Sequence, residues 1–219
     1  QAQAPQYNYA AYTVAVGNGS GNNGTVTMDT AVVQDDVNNW IASGRWITLM
    51  IGGSAASSGG AGQINLTTAD EVTNFVNSTI GICKQYGFQG VDIDLEDSSL
   101  WTTTTMSSAI SQLRTQKGAN FSIAINPGPY QMRSGGAYLA VFDQVGDYID
   151  LISGQWYSQA GESDSWFINS FILPDITSFV GSLGIPASKL MMGCSNITCG
   201  DGAPSWPTTY CTAFTDLVG

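Results

Sequence analysis

The chain has 219 residues, 43% hydrophobic and only 11% charged, with a formal net charge of −11 and no histidine. That is an ordered globular composition, long enough to bury about 70% of the surface its unfolded chain would expose. The acidic balance and the absence of a basic stripe exclude nucleic acid and a membrane surface as partners. The lack of histidine excludes a Ser-His-Asp triad, a Cys-His dyad and a His-ligated zinc, so acid–base work falls to carboxylates, tyrosine or lysine.

Along the chain, apolar β-rich runs alternate with helical patterns, which points to βαβ units, a parallel sheet and an α/β fold. A first strand is expected over residues 7–16, followed by a Gly/Asn-rich loop over 17–24. A helix over 36–43 leads to a buried strand over 46–51 that stops at Gly52-Gly53, and a Ser/Ala/Gly loop fills 54–62. Residues 68–86 read as a long helix: Thr68 can cap it, and Val72, Phe75, Val76, Ile80 and Cys83 recur at helical spacing. A strand over 90–95, a helix over 106–116, a strand over 121–125 and the loop Asn126-Pro127-Gly128-Pro129 come next. The rest reads as a helix over 138–144, a strand over 148–154 running on to Tyr157, a helix over 166–183 and a strand over 189–193. No repeat and no linker of boundary character interrupts this order, so residues 1–219 read as a single catalytic domain with six strands.

The strand over 90–95 and the residue after it carry the chemistry. Residues two apart on a strand point to one face, so Asp92, Asp94 and Glu96 line one side and Val91, Ile93 and Leu95 the other. Carboxylates roughly 6.5–7 Å apart repel one another, and protons or hydrogen bonds must relieve the repulsion. Their pKa values are thereby pushed apart, which is how one acid stays protonated beside an ionised neighbour. The bland alternative is an exposed edge strand with solvated acids. The aliphatic residues between the carboxylates, and the long helix with Gly87 before them, argue for a central strand instead.

Four cysteines stand at Cys83, Cys194, Cys199 and Cys211, and none forms a Cys-x2-Cys pair. They read as two disulfides; Cys194–Cys199 with Cys83–Cys211 is one of the three pairings that four cysteines allow. Six Asn-x-Ser/Thr sequons, at Asn18, Asn23, Asn65, Asn77, Asn120 and Asn196, point to eukaryotic secretion.

The segment Gln89-Gly-Val-Asp-Ile-Asp-Leu-Glu96 resembles the Asp-Gly-x-Asp-x-Asp-x-Glu signature of glycoside hydrolase family 18, with Gln89 where the family has aspartate. Leu49-Met50-Ile51-Gly52-Gly53 resembles the family's Ser-x-Gly-Gly strand, with Met50 in place of serine. Tyr7-Asn8-Tyr9-Ala10, Ile125-Asn126-Pro127 and Gln155-Trp156-Tyr157 resemble further strands of the family in the right order. The resemblance implies a (β/α)8 barrel whose strands 1 and 8 are not evident here, so the sequence is expected to be part of a longer barrel.

It also implies retaining, substrate-assisted hydrolysis of N-acetylglucosamine linkages, without metal or cofactor. Glu96 would be the acid and then the base, Asp94 would orient the substrate's acetamido group, and Asp92 would share a proton with Asp94. Tyr157 would donate to the acetamido oxygen, with Gln155 helping to position it. Tyr130 is a candidate for contact with the apolar faces of the sugar; Trp101, as a sugar contact, and Tyr9, as a floor residue of the site, are candidates for which packing is the equal alternative. The partner is a chitin-like polysaccharide or an N-glycan, and the protein is expected to be a monomer. A chitinase, an endo-β-N-acetylglucosaminidase and a non-catalytic glycan binder remain as readings.

Overall fold

The computed structural model describes residues 9–128, 130–155 and 168–193. These belong to two compact units, one built from Gln1–Ile125 with Ala140–Asp150, the other from Asn126–Leu139 with Leu151–Gly219.

In the first unit, β1 (Tyr9–Val16), β3 (Trp46–Gly52), β4 (Gly90–Asp94) and β5 (Ser122–Ile125) pair side by side, all parallel. A two-residue strand, β2 (Thr27–Met28), runs antiparallel to the end of β1. It is too short to leave a periodic signal, and the sequence did not suggest it. Parallel neighbours need crossover connections, and α1 (Gln34–Ala42), α2 (Ala69–Tyr86) and α3 (Thr103–Lys117) supply them. Ile47, Leu49, Ile51, Val91, Ile93, Ile123 and Ile125 are fully buried, as strands of a covered parallel sheet require.

Helix α2 shows why these residues form these elements. The Thr68 hydroxyl accepts from the Glu71 amide at 3.2 Å, and the Glu71 carboxylate accepts from the Thr68 amide at 2.9 Å, which completes a capping box. Val72, Phe75, Val76, Thr79 and Cys83 form its buried face. Gly87 ends it at φ +84°, a left-handed conformation that costs glycine little.

Cys83 is a free thiol in this structure; the pairing with Cys211, one of the three that four cysteines allow, involves a residue outside the described ones. The place of Cys83 on the inward face of α2 turns Sγ toward the Gly90 carbonyl, 3.9 Å away, and burial pushes the thiol up to about 12. Cys194, Cys199 and Cys211 lie outside the described residues.

Helix α4 (Ala137–Val145) contains one boundary between the units. It is followed by a tight turn, Gly146–Tyr148, where a strand was expected to begin. The Arg114 guanidinium holds that turn, taking the Tyr148 carbonyl at 2.7 Å and the Asp150 carboxylate at 2.5 Å. The second unit contains β6 (Leu151–Gln155) and β7 (Leu190–Gly193), paired parallel. Between them is α5 (Leu173–Thr177), flanked by the wider helical turns Ile168–Ile172 and Ser178–Ser182.

Candidate active site

Strand β4 lies between β3 and β5, so it is no edge strand. Asp92 is opposite Met50 on one side and Ala124 on the other, and Asp94 is opposite Gly52. Both carboxyl groups are covered, at 6% and 3% exposure. Glu96 follows two residues beyond the end of the strand and is half-buried. Burial pushes its carboxyl above the ordinary range for glutamate. Desolvation disfavours the charged form, which suits this carboxyl to the role of proton donor.

Two glycines allow the approach of β3 to Asp94. A Cβ on Gly52, whose φ is +114°, would stand 2.2 Å from the Asp94 carbonyl oxygen. The Gly53 amide donates to that same oxygen at 2.7 Å. The Gly-Gly pair thus fixes the peptide that carries Asp94.

Beyond β4 the chain is held by its neighbours. The Trp101 indole N–H donates to the Leu95 carbonyl at 3.2 Å, and Trp101 is only 4% exposed. The ring therefore packs beneath the strand end and does not offer a face to sugar, the packing alternative of its two readings. The Asp97 carboxylate accepts from the Ser58 amide and from the amide and hydroxyl of Ser99, at 2.9, 2.9 and 2.6 Å. The Ser99 hydroxyl bond, then the two amides, hold its carboxyl below the usual range.

The loops after β1 and β3 share a polar network. Asn22 is buried; its side-chain nitrogen Nδ2 donates to Asn18 Oδ1 and to the Thr25 carbonyl, while its backbone carbonyl accepts from Asn65 Nδ2 at 2.8 Å. Gln63 Nε2 donates to Asn65 Oδ1 at 2.7 Å. Asn65, a sequon asparagine, thus spends both ends of its carboxamide inside the protein. Asn18, Asn23, Asn77 and Asn120 are exposed, and Asn196 lies outside the described residues.

Tyr9 is not beside Glu96. It pairs with Trp46 at the start of β3, whereas Asp94 pairs with Gly52 at its end, a separation of roughly 20 Å along the strands. Its hydroxyl is buried, near Thr48 and Ser122 but outside hydrogen-bond geometry with either. Burial, and then the Asp92 carboxylate, push its pKa well up. The residue as a whole is half-buried, with its hydroxyl enclosed.

In the second unit, Gln155 ends β6, its side-chain amide donating to the Asn126 carbonyl at 2.9 Å. Tyr130 is 59% exposed, with the Arg133 guanidinium 4.9 Å from its ring centre. Arg133 is itself anchored, its Nε donating to the buried Asp175 carboxylate at 2.6 Å. Tyr130 is thus an exposed aromatic on a braced loop, able to stack on an apolar sugar face. Tyr157 lies outside the described residues. Sequence reasoning missed Asp97, Asn22 and Arg133, whose partners lie 39, 43 and 42 residues away and leave no local pattern.

Comparison with known proteins fits this geometry. The model of the Glycosyl hydrolases family 18 matches residues 21–198. A chitinase of Enterococcus faecalis is 31% identical over 189 residues, covering 75% of this chain and 52% of the relative. Endochitinase 4 of Metarhizium anisopliae is 27% identical, covering 56% of this chain and 50% of the relative. The chain thus spans about half the length of the curated relatives it matches. Among solved structures, a family GH18 chitinase from Chromobacterium violaceum superposes with a TM-score of 0.60 at 29% identity, over 75% of this chain and 47% of that one. A GH18 chitinase from Pseudoalteromonas aurantia, at 18% identity, has a TM-score of 0.69 over 92% of this chain and 83% of that one. The fold is accordingly of the α/β barrel type expected.

Proposed function

The chain belongs to the Glycosyl hydrolases family 18, and we propose from this that it hydrolyses β-1,4 linkages between N-acetylglucosamine units, as a chitinase. The observation that carries the reading is the β4 face, with Asp92 and Asp94 buried side by side and Glu96 at its mouth with a raised pKa. A protonated Glu96 delivers its proton to the glycosidic oxygen as the bond breaks. In the substrate-assisted route the resemblance implies, the substrate's acetamido oxygen attacks the anomeric carbon, giving a cyclic oxazolinium ion with retained stereochemistry after hydrolysis.

Asp94 accepts a hydrogen bond from the acetamido N–H, which orients the oxygen and stabilises the positive charge that develops. Asp92, one step deeper on the same face, shares a proton with Asp94, since two neighbouring carboxylates resist ionising together. Glu96, now ionised, then takes a proton from the attacking water. The polymeric substrate lies outside the cell, and a secreted protein acting as a monomer suits it.

The test is hydrolysis of chitin oligomers and of a high-mannose glycoprotein by the wild type and by Glu96→Gln. Cleavage of the oligomers, with kcat lowered at least about 1,000-fold in the variant, is the expected result. Full activity in Glu96→Gln would overturn the acid assignment. Cleavage of the glycoprotein alone would move the substrate to N-glycans. Binding of chitin without cleavage of either would make the protein a lectin.

A further inference from the structure

Strand β4 ends at Asp94, and its last ladder pair is Gly52 with Asp94. Glu96 therefore lies past the hydrogen-bonded sheet, where the ladder no longer fixes the backbone. A catalytic acid needs placement to a fraction of an ångström, and the anchoring of the chain on both sides of it contributes to that placement. The residues on either side of Glu96 are both tied down. Before it, the Leu95 carbonyl accepts from the Trp101 indole at 3.2 Å. After it, Asp97 uses both carboxylate oxygens, Oδ1 on Ser99 and Oδ2 on Ser58.

We infer that Asp97 is a positioning residue for Glu96, a clamp that joins the end of β4 to the loop after β3. This rests on the reading of Glu96 as the acid. A local turn over Asp97–Leu100, closed by the Leu100 amide on the Asp97 carbonyl at 3.1 Å, needs only the bonds within it. The Ser58 bond is different in kind, because it reaches back 39 residues to another loop. That loop is a fixed point: its Gly62 amide donates to Ala55, its Gly60 amide to Ser57, and Gly59 donates to the Gln63 side chain. The Gly17 amide, from the loop after β1, also lands on the Gly62 carbonyl at 2.8 Å. Asp97 thus transmits the position of a braced loop to the peptide beside Glu96.

The test compares the wild type with Asp97→Ala and Asp97→Asn on a soluble chromogenic chitin oligomer, across pH. In Asp97→Ala, kcat falls about 10–100-fold with KM within about twofold, as a displaced but present acid gives. The alkaline limb of kcat/KM moves to lower pH, because a freed Glu96 carboxyl meets water and loses its raised pKa. Asp97→Asn, with one acceptor oxygen for two anchors, falls between.

The chain has only three glutamates, so carbon NMR of selectively labelled glutamate follows the Glu96 titration without any turnover; it should fall in both variants. Wild-type kcat and an unmoved Glu96 titration in either folded variant would overturn the clamp. If Asp97→Ala does not fold, Asp97→Asn decides alone. Full activity in Glu96→Gln would remove the acid role itself, whereas an inactive Glu96→Gln beside an unaffected Asp97→Asn would remove only the clamp.

Discussion

Gly52 shows how a single missing side chain sets the position of a buried carboxylate on the neighbouring strand. The Asp94 carbonyl oxygen occupies the room a Cβ would need, and the backbone there is at φ +114°. Gly52→Ala would meet both penalties: about 1–3 kcal/mol for overpacking and a similar cost for the strained backbone. We expect the variant to unfold at lower urea concentration and, where folded, to lose most of its kcat, since β4 must shift and Asp94 with it. An unchanged urea midpoint would contradict the close approach. The glycine was legible in sequence only as part of a short motif; its reason, an oxygen on the neighbouring strand, is a tertiary fact.

Among the elements, α2 was the most legible. Its cap, its buried face and its terminal glycine are all local, and the helix lies where the spacing placed it, with Thr68 as the cap residue and not the first helical one. Thr68→Ala removes the hydroxyl that accepts from the Glu71 amide and should lower stability by about 1 kcal/mol, read from urea unfolding. Strand β4 was legible for the same reason, since alternation with period two needs no partner to be seen. Where the elements departed from expectation, a distant residue decided. The turn at Tyr148 owes its form to Arg114, 34 residues earlier. The short β2 depends on pairing with β1. Trp101 looked like a loop aromatic because nothing local says that its indole will reach the Leu95 carbonyl.

At the scale of the whole molecule, acidity and stability are linked through a few carboxyl groups. Burial alone would raise Glu71, but hydrogen bonds from Thr67 and Thr68 outweigh it and hold the group below its ordinary value. Asp97 is held low as well. A depressed carboxyl stabilises the fold above its unfolded pKa, about 4, and that contribution is lost as pH falls through the folded value. Glu96 has the opposite sign: its raised pKa favours the fold when protonated, below the unfolded value, and the benefit is lost as pH rises through the folded one. Thermal melts should therefore fall steeply between about pH 4 and pH 2, with Glu71→Gln less steep than wild type; equal slopes would remove Glu71 from the account. The thiol of Cys83 adds a different kind of consequence. It is covered, protonated at neutral pH and seated against the first residue of the carboxylate strand. Electrophiles and oxidants act on thiolates, so in the closed protein this sulfur is chemically silent. Labelling by a thiol reagent would therefore report any opening that parts α2 from β4, a probe within the chain itself for the moments when the carboxylate strand loses its backing.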